Sequence, residues 1–111
     1  MQKDSILNCR NYSAEEIIEF MIKLNPELKT EENRNNVYVG ATRNINERMR
    51  RHNVKELLFA AKTASQKVAA KVEELAFKYG FQIGNVKHGG NGTNSYSIYI
   101  YAYRITKETI E

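Results

Sequence analysis

Apolar residues recur at helical spacing near the start of the chain. These residues are Ile17, Ile18, Phe20, Met21 and Leu24. Ser13 and Glu16 stand just ahead of them with the spacing of a capping box, and Asn25-Pro26 follows, where proline disfavours a helical residue before it. The pattern predicts a helix that begins after Ser13 and ends at Asn25. The polar residues 27–36 predict a loop.

A short β-type run is followed by a second helical pattern. Val37-Tyr38-Val39-Gly40 alternates, so the two valines share one face and Tyr38 and Gly40 the other. Asn44 is a candidate N-cap, with Glu47 at the third helical position. On the predicted helix one side carries Ile45, Arg48, Met49 and His52. Charged side chains rarely face inward unless they have a partner, so the position of Arg48 marks it as a candidate functional residue.

The third helical pattern is the longest. Residues 56–61 precede it and fit either a helix or a short buried strand, of which we favour the strand. Thr63 and Gln66 form a capping-box pattern, and Gly80 is placed to end the helix over residues 64–79. The apolar stripe consists of Val68, Val72, Leu75, Ala76 and Tyr79. Glu73 falls beside this stripe and Glu74 nearly opposite it.

The last predicted element is the clearest strand. It runs from Tyr96 to Ile105 after a glycine-rich loop over residues 84–95. Ile98, Ile100 and Ala102 alternate with a stripe of tyrosines on the other face. That stripe is Tyr99, Tyr101 and Tyr103. The element order α-β-α-(β)-α-loop-β predicts a small α+β domain.

Composition excludes several classes of protein. The 111 residues suit one domain, and no apolar run approaches the ~20 residues that cross a bilayer. The single cysteine allows no intrachain disulfide and no cysteine-based zinc site. Residues 1–8 lack the apolar stretch of a signal peptide, so we expect a cytoplasmic protein.

Charge is distributed unevenly along the chain. Residues 1–36 carry a net charge of −2, whereas residues 37–104 carry +7. Such asymmetry suggests a polyanionic partner, of which nucleic acid is the commonest, although a merely soluble cationic protein fits equally well. The cations expected on nucleic acid phosphates include Arg43, Arg50, Arg51 and Lys55.

The most specific stretch of the chain runs from residue 38 to residue 52. A Tyr-Val-Gly run ends the predicted strand, and Thr, Asn, Arg and His follow at intervals of two, two, four and four residues. These positions are Tyr38, Val39, Gly40, Thr42, Asn44, Arg48 and His52. The stretch resembles the second half of the GIY-YIG nuclease core. The resemblance covers residues 37–80 well, 81–105 loosely and 1–36 hardly at all.

The resemblance implies a fold and a chemistry. The fold would be one domain over residues 1–111, with a three-stranded, largely antiparallel sheet flanked by helices; residues 37–105 form its core and residues 1–36 a divergent helical extension. The function would be metal-dependent endonuclease activity on nucleic acid, with DNA favoured. Arg48 would bind the scissile phosphate, and Tyr38 would position or activate the attacking water with His52 in support. Glu73, which is better directed than Glu74, would hold one Mg²⁺ or Mn²⁺ ion.

One departure from the family pattern leaves alternatives open. The Gly-Ile-Tyr motif is expected about ten residues before Tyr38, yet residues 13–37 contain no tyrosine. The domain is then either a degenerate module that binds DNA or RNA without cutting it, or an enzyme whose tyrosine comes from a displaced strand. Residues 96–101 read like such a strand, provided that Tyr99 or Tyr101 approaches Arg48 and Glu73. A third interpretation is a protein–protein adaptor with a basic surface.

Overall fold

The computed structural model describes residues 6–84 and 97–111. Its elements in chain order are β1 (Leu7–Asn8), α1 (Ala14–Leu24), a 3₁₀ turn (Pro26–Lys29), α2 (Glu31–Arg34), β2 (Val37–Thr42), α3 (Ile45–His52), β3 (Phe59–Lys62), α4 (Gln66–Tyr79), β4 (Gln82–Ile83) and β5 (Tyr99–Arg104). Within the two described ranges, no helix combines the length and apolar character that a bilayer crossing requires.

The sheet has five strands in the order β1-β3-β5-β2-β4. The central strand β5 is antiparallel to both β2 and β3. The edge strands β1 and β4 pair in parallel with β3 and β2 over two residues each. The α+β class is confirmed, but the prediction of a three-stranded, largely antiparallel sheet is wrong in detail, because two short parallel edge strands widen the sheet to five.

The two faces of the sheet build two separate packed layers. Val37, Val39 and Ala41 of β2 face α1 and α4, together with Ile100 and Ala102 of β5. The opposite face carries aromatic side chains and packs against α3. Its buried members are Tyr38, Ile45, Val54, Leu57, Ala60, Tyr101 and Tyr103. The predicted alternation of both strands is confirmed, and the tyrosine stripe is a packed surface of the sheet.

The predicted helix ends are confirmed at three places. Ser13 and Glu16 form both hydrogen bonds of the capping box, at 3.1 and 2.8 Å. The Asn44 side chain accepts a hydrogen bond from the Glu47 amide at 3.0 Å. Gly80 ends α4 with φ = 101°, a left-handed conformation that favours glycine.

The start of α4 was predicted wrongly. Ser65 is its N-cap and accepts from the Val68 amide at 3.2 Å. Thr63 still belongs to the end of the sheet, where its amide and its hydroxyl both donate to the Ile98 carbonyl, at 2.9 and 2.7 Å. The strand predicted over residues 56–61 likewise starts later, at Phe59.

The predicted loop over residues 27–36 is largely helical. Pro26 starts the 3₁₀ turn, where its missing amide proton costs nothing, and Thr30 caps α2. The Arg34 guanidinium donates to the carbonyls of Leu28 and Tyr79, at 2.9 and 2.6 Å, and so ties this segment to the end of α4. The last strand spans Tyr99–Arg104, shorter than predicted, and most of the glycine-rich loop lies outside the described residues.

Candidate functional site

The predicted site begins where β2 runs into α3. Tyr38 and Gly40 face α3, and Thr42 links the strand to the helix by accepting from the Asn44 amide at 3.0 Å. On α3, His52 is buried and Arg48 half-buried, whereas Arg50 and Arg51 are exposed. The helix therefore presents a histidine and an arginine to the aromatic face of the sheet, as the spacing predicted.

Tyr101 enters this site from the neighbouring strand. The register of β2 and β5 pairs it with Gly40. A Cβ atom added to Gly40 would lie 2.6 Å from both Cζ and the hydroxyl oxygen of Tyr101. Only glycine at position 40 therefore leaves space for this ring. The candidate displaced strand, now β5, therefore lies beside β2.

The side chains of Tyr38, Tyr101 and His52 form a connected polar chain. The Tyr38 and Tyr101 hydroxyls interact, which lowers the pKa of Tyr38 and raises that of Tyr101, and the Tyr101 hydroxyl lies 3.0 Å from Nε2 of His52. The His52 ring centroid lies 5.0 Å from that of Tyr38 and 5.9 Å from that of Tyr101. Hydroxyl groups both donate and accept, so a proton can pass along this chain in either direction.

The other nitrogen of His52 contacts the main chain of Ile110. Nδ1 lies 2.6 Å from the Ile110 carbonyl oxygen. A carbonyl only accepts, so Nδ1 is the donor in this contact, and in the neutral ring Nε2 is left as the acceptor that faces Tyr101.

Glu73 reaches the same region around the edge of the sheet. Its Oε2 accepts from the Ala41 amide at 3.2 Å. That amide is available because β4 pairs only with Tyr38 and Val39 and ends before Ala41. The carboxylate thus lies at the end of β2, although α4 packs on the opposite face of the sheet from α3.

The charges of Arg48 and Glu73 both act on the two tyrosines. Burial is the largest cause that raises the pKa of Tyr38 and of Tyr101; Glu73 raises both further and Arg48 lowers both. Arg48, Glu73, Tyr38 and Tyr101 therefore lie within electrostatic reach of one another. The raised pKa values leave both hydroxyls protonated, and therefore neutral, at neutral pH.

The buried tyrosines also make a prediction about stability at high pH. Burial is the first cause of a raised pKa in Tyr38, Tyr101 and Tyr103, all above the ordinary 10.0. Above about pH 10 the unfolded chain loses these protons while the folded chain keeps them, so unfolding releases protons and the free energy of unfolding falls. Urea unfolding followed by circular dichroism should show full stability below about pH 9 and a steep loss towards about pH 11. A flat profile over that range would contradict the burial of these hydroxyls.

The donor set fits a hard divalent cation. Among residues 6–84 and 97–111 no three or more His, Cys, Asp or Glu side chains cluster as a metal cage. Glu73 offers a single carboxylate, and the tyrosines offer hydroxyl oxygens. Mg²⁺ is commonly held by one or two carboxylates, with water and substrate phosphate completing its shell, whereas zinc needs three or four protein ligands. The residues therefore fit magnesium or manganese and do not fit zinc.

Glu74 provides an internal contrast to Glu73. It is exposed and pairs with Lys71 at 3.2 Å and with Lys78 at 4.0 Å. The helical direction predicted from the sequence is confirmed for both glutamates. Arg43 and Lys55 are exposed like Arg50 and Arg51.

Two parts of the site were not among the predicted site residues. Tyr101 was considered only as an alternative, although the missing tyrosine in residues 13–37 and the alternating stripe of residues 99–103 both pointed to it. The Ile110 carbonyl had no sequence signal, because any residue supplies one.

Comparison with known proteins agrees with this geometry. The family model of the GIY-YIG catalytic domain matches residues 28–83. No match was found among curated proteins or among solved structures. The matched span is half of the chain, contains Tyr38, Arg48, His52 and Glu73, and ends before β5. The chain belongs to the GIY-YIG family.

Proposed function

We propose that this protein is a metal-dependent endonuclease that hydrolyses phosphodiester bonds, with DNA as the favoured substrate. Membership of the GIY-YIG family supports a nuclease-type function on nucleic acid, and nucleases of this family generally depend on a divalent metal. The observation that carries the finer proposal is the Tyr38–Tyr101–His52 chain within electrostatic reach of Arg48 and Glu73.

Arg48 is proposed to bind the scissile phosphate. Arg48 is half-buried, and its positive charge lowers the pKa of both Tyr38 and Tyr101, so it favours negative charge at that place. The planar group offers a fixed fork of donors to phosphate oxygens, so it can hold the phosphate in one orientation as charge develops on it.

Glu73 is proposed to hold the metal ion. The Ala41 amide orients its carboxylate by binding Oε2 at 3.2 Å. A bound Mg²⁺ or Mn²⁺ supplies Lewis-acid stabilisation of the phosphate and of the leaving oxygen.

The tyrosine–histidine chain is proposed to accept the proton of the attacking water. Tyr38 orients the water and takes its proton while passing its own to Tyr101, and Tyr101 passes its proton to Nε2 of His52. No phenolate forms at any stage, in keeping with the raised pKa of both tyrosines. Tyr101 would thus replace the missing tyrosine of the first motif from a strand that follows the rest of the site.

The exposed cations near α3 are proposed to contact the nucleic acid backbone. They are Arg43, Arg50, Arg51 and Lys55. Such contacts carry no sequence information and predict affinity that falls steeply with salt.

The proposal is tested by nicking of supercoiled plasmid. Wild-type protein should nick DNA with Mg²⁺ or Mn²⁺ and stop when a chelator is added. Arg48→Ala should lower the rate by about 100-fold, as loss of one transition-state donor typically does, and Arg48→Lys should restore little because it lacks the fork. Nicking by Arg48→Ala at the wild-type rate would refute the role of this arginine.

A binding-only module is the second candidate, and one observation favours it. Residues 26–34, where the strand of the first motif is expected, form the 3₁₀ turn and α2 instead. Salt-sensitive DNA binding without nicking in either metal would establish this alternative.

A further inference from the structure

The segment after β5 is fastened to the end of α3 by its main chain. Residues 106–109 form a turn in which the Thr106 amide donates to the Thr109 hydroxyl at 3.1 Å. The Ile110 amide then donates to the His52 carbonyl at 2.7 Å, and the Ile110 carbonyl accepts from Nδ1 of the same histidine at 2.6 Å. One residue thus binds both the backbone and the ring of His52.

Neighbouring contacts hold this segment on both sides of Ile110. The Asn53 side-chain amide donates to the Glu108 carbonyl at 2.9 Å, and the Tyr103 hydroxyl donates to the Glu111 carboxylate at 3.1 Å. The Ile110 side chain itself is 64% exposed. The two hydrogen bonds to His52 therefore depend on the backbone of residue 110 and not on apolar packing of its side chain.

We propose that residues 106–111 form a positioning segment that fixes the tautomer of His52. The group that fixes it is the Ile110 carbonyl, which accepts the proton of Nδ1 in a hydrogen bond. The neutral imidazole carries one N–H, and a carbonyl on Nδ1 places it there. Nε2 then keeps its lone pair towards the Tyr101 hydroxyl. Without Ile110 the Nε2–H tautomer becomes available; it donates to Tyr101 and leaves the chain of hydroxyls with no acceptor.

This inference rests on the proposed function for its effect on catalysis, but its structural part stands alone. Residues 106–111 lie outside the span matched by the family model, which ends at residue 83. The comparable device in serine proteases is an aspartate that orients the catalytic histidine and selects its tautomer. Here a main-chain carbonyl performs that positioning.

The tautomer is measured directly by ¹⁵N NMR of the histidine rings. The chain has two histidines, so a His88→Gln protein assigns the His52 signals. Neutral His52 should carry its proton on Nδ1, and Ile110→Ala, which keeps the main-chain carbonyl and alters only an exposed side chain, should leave this tautomer unchanged. Ile110→Pro removes the amide that seats residue 110 and should shift His52 towards the Nε2–H tautomer.

Kinetics separate positioning from folding and from binding. Ile110→Pro should lower kcat for nicking by about 10- to 100-fold, the range typical for loss of an orienting partner, with KM for DNA unchanged. Nε2–H on wild-type His52 would overturn the inference even if the variant failed to fold. A changed tautomer with wild-type kcat would overturn its catalytic part. Absence of nicking by wild-type protein refutes the proposed function. The positioning of His52 by Ile110 is then tested by the tautomer measurement alone.

Discussion

Replacing Glu73 by glutamine is expected to reduce metal-dependent nicking by about 10³-fold, beyond the 10- to 100-fold that loss of an outer-shell partner typically costs. Glutamine keeps an oxygen that can accept from the Ala41 amide, so the local fold should survive. The substitution removes the negative charge that Glu73 is proposed to offer to a divalent cation. Single-turnover nicking over a range of Mg²⁺ concentrations, beside urea unfolding of both proteins, measures the effect and excludes loss of folding.

Glu74→Gln is the matched control on the adjacent residue. Glu74 is exposed and pairs with Lys71 and Lys78 on the surface of α4. Exposed ion pairs contribute about 0–1 kcal/mol, so both stability and nicking should stay near the wild-type values. Equal losses in the two variants would mean that the overall charge of α4 matters and would remove Glu73 from the metal site.

Much of the fold could be predicted because its long elements bury one continuous face. The 11-residue α1, the 14-residue α4 and the alternating residues 99–104 each repeat their apolar period often enough to be recognised. The strands β1 and β4 have two residues each and are defined by their pairing partners. No period can appear in two residues, so the widening of the sheet from three strands to five was not predictable.

The site residues differ in the same way. Some can be predicted from the local sequence, and others depend on tertiary contacts. Tyr38, Arg48 and His52 lie within fifteen residues, and strand and helix geometry alone bring them to one face. Glu73 was predicted from the family resemblance, and its direction on α4 distinguished it from Glu74. The position of Tyr101 depends on the register of β5 against β2, which links residues 61 positions apart in sequence and leaves only a weak trace in the chain.

Tyr101→Phe is expected to lower nicking by about 10³-fold, within the range by which a positioned proton-transfer group contributes. Phenylalanine retains the ring that fills the space beside Gly40 and removes only the hydroxyl. The hydroxyl has two partners, Tyr38 and Nε2 of His52, and leaving a buried partner unsatisfied costs about 1–3 kcal/mol of stability. DNA affinity should not change, because the lost group contacts other side chains within the site.

Two further variants decide whether Tyr101 acts through the chain of hydroxyls. Tyr99→Phe alters the same face of β5 two residues away, at a half-buried position, and should nick at nearly the wild-type rate. Tyr38→Phe should lose as much activity as Tyr101→Phe, and the double variant should lose little more, because groups that act as one unit are strongly non-additive. Losses that multiply in the double variant would mean that the two tyrosines act separately. Full activity of Tyr101→Phe would show that β5 supplies packing alone and that the missing first-motif tyrosine has no replacement.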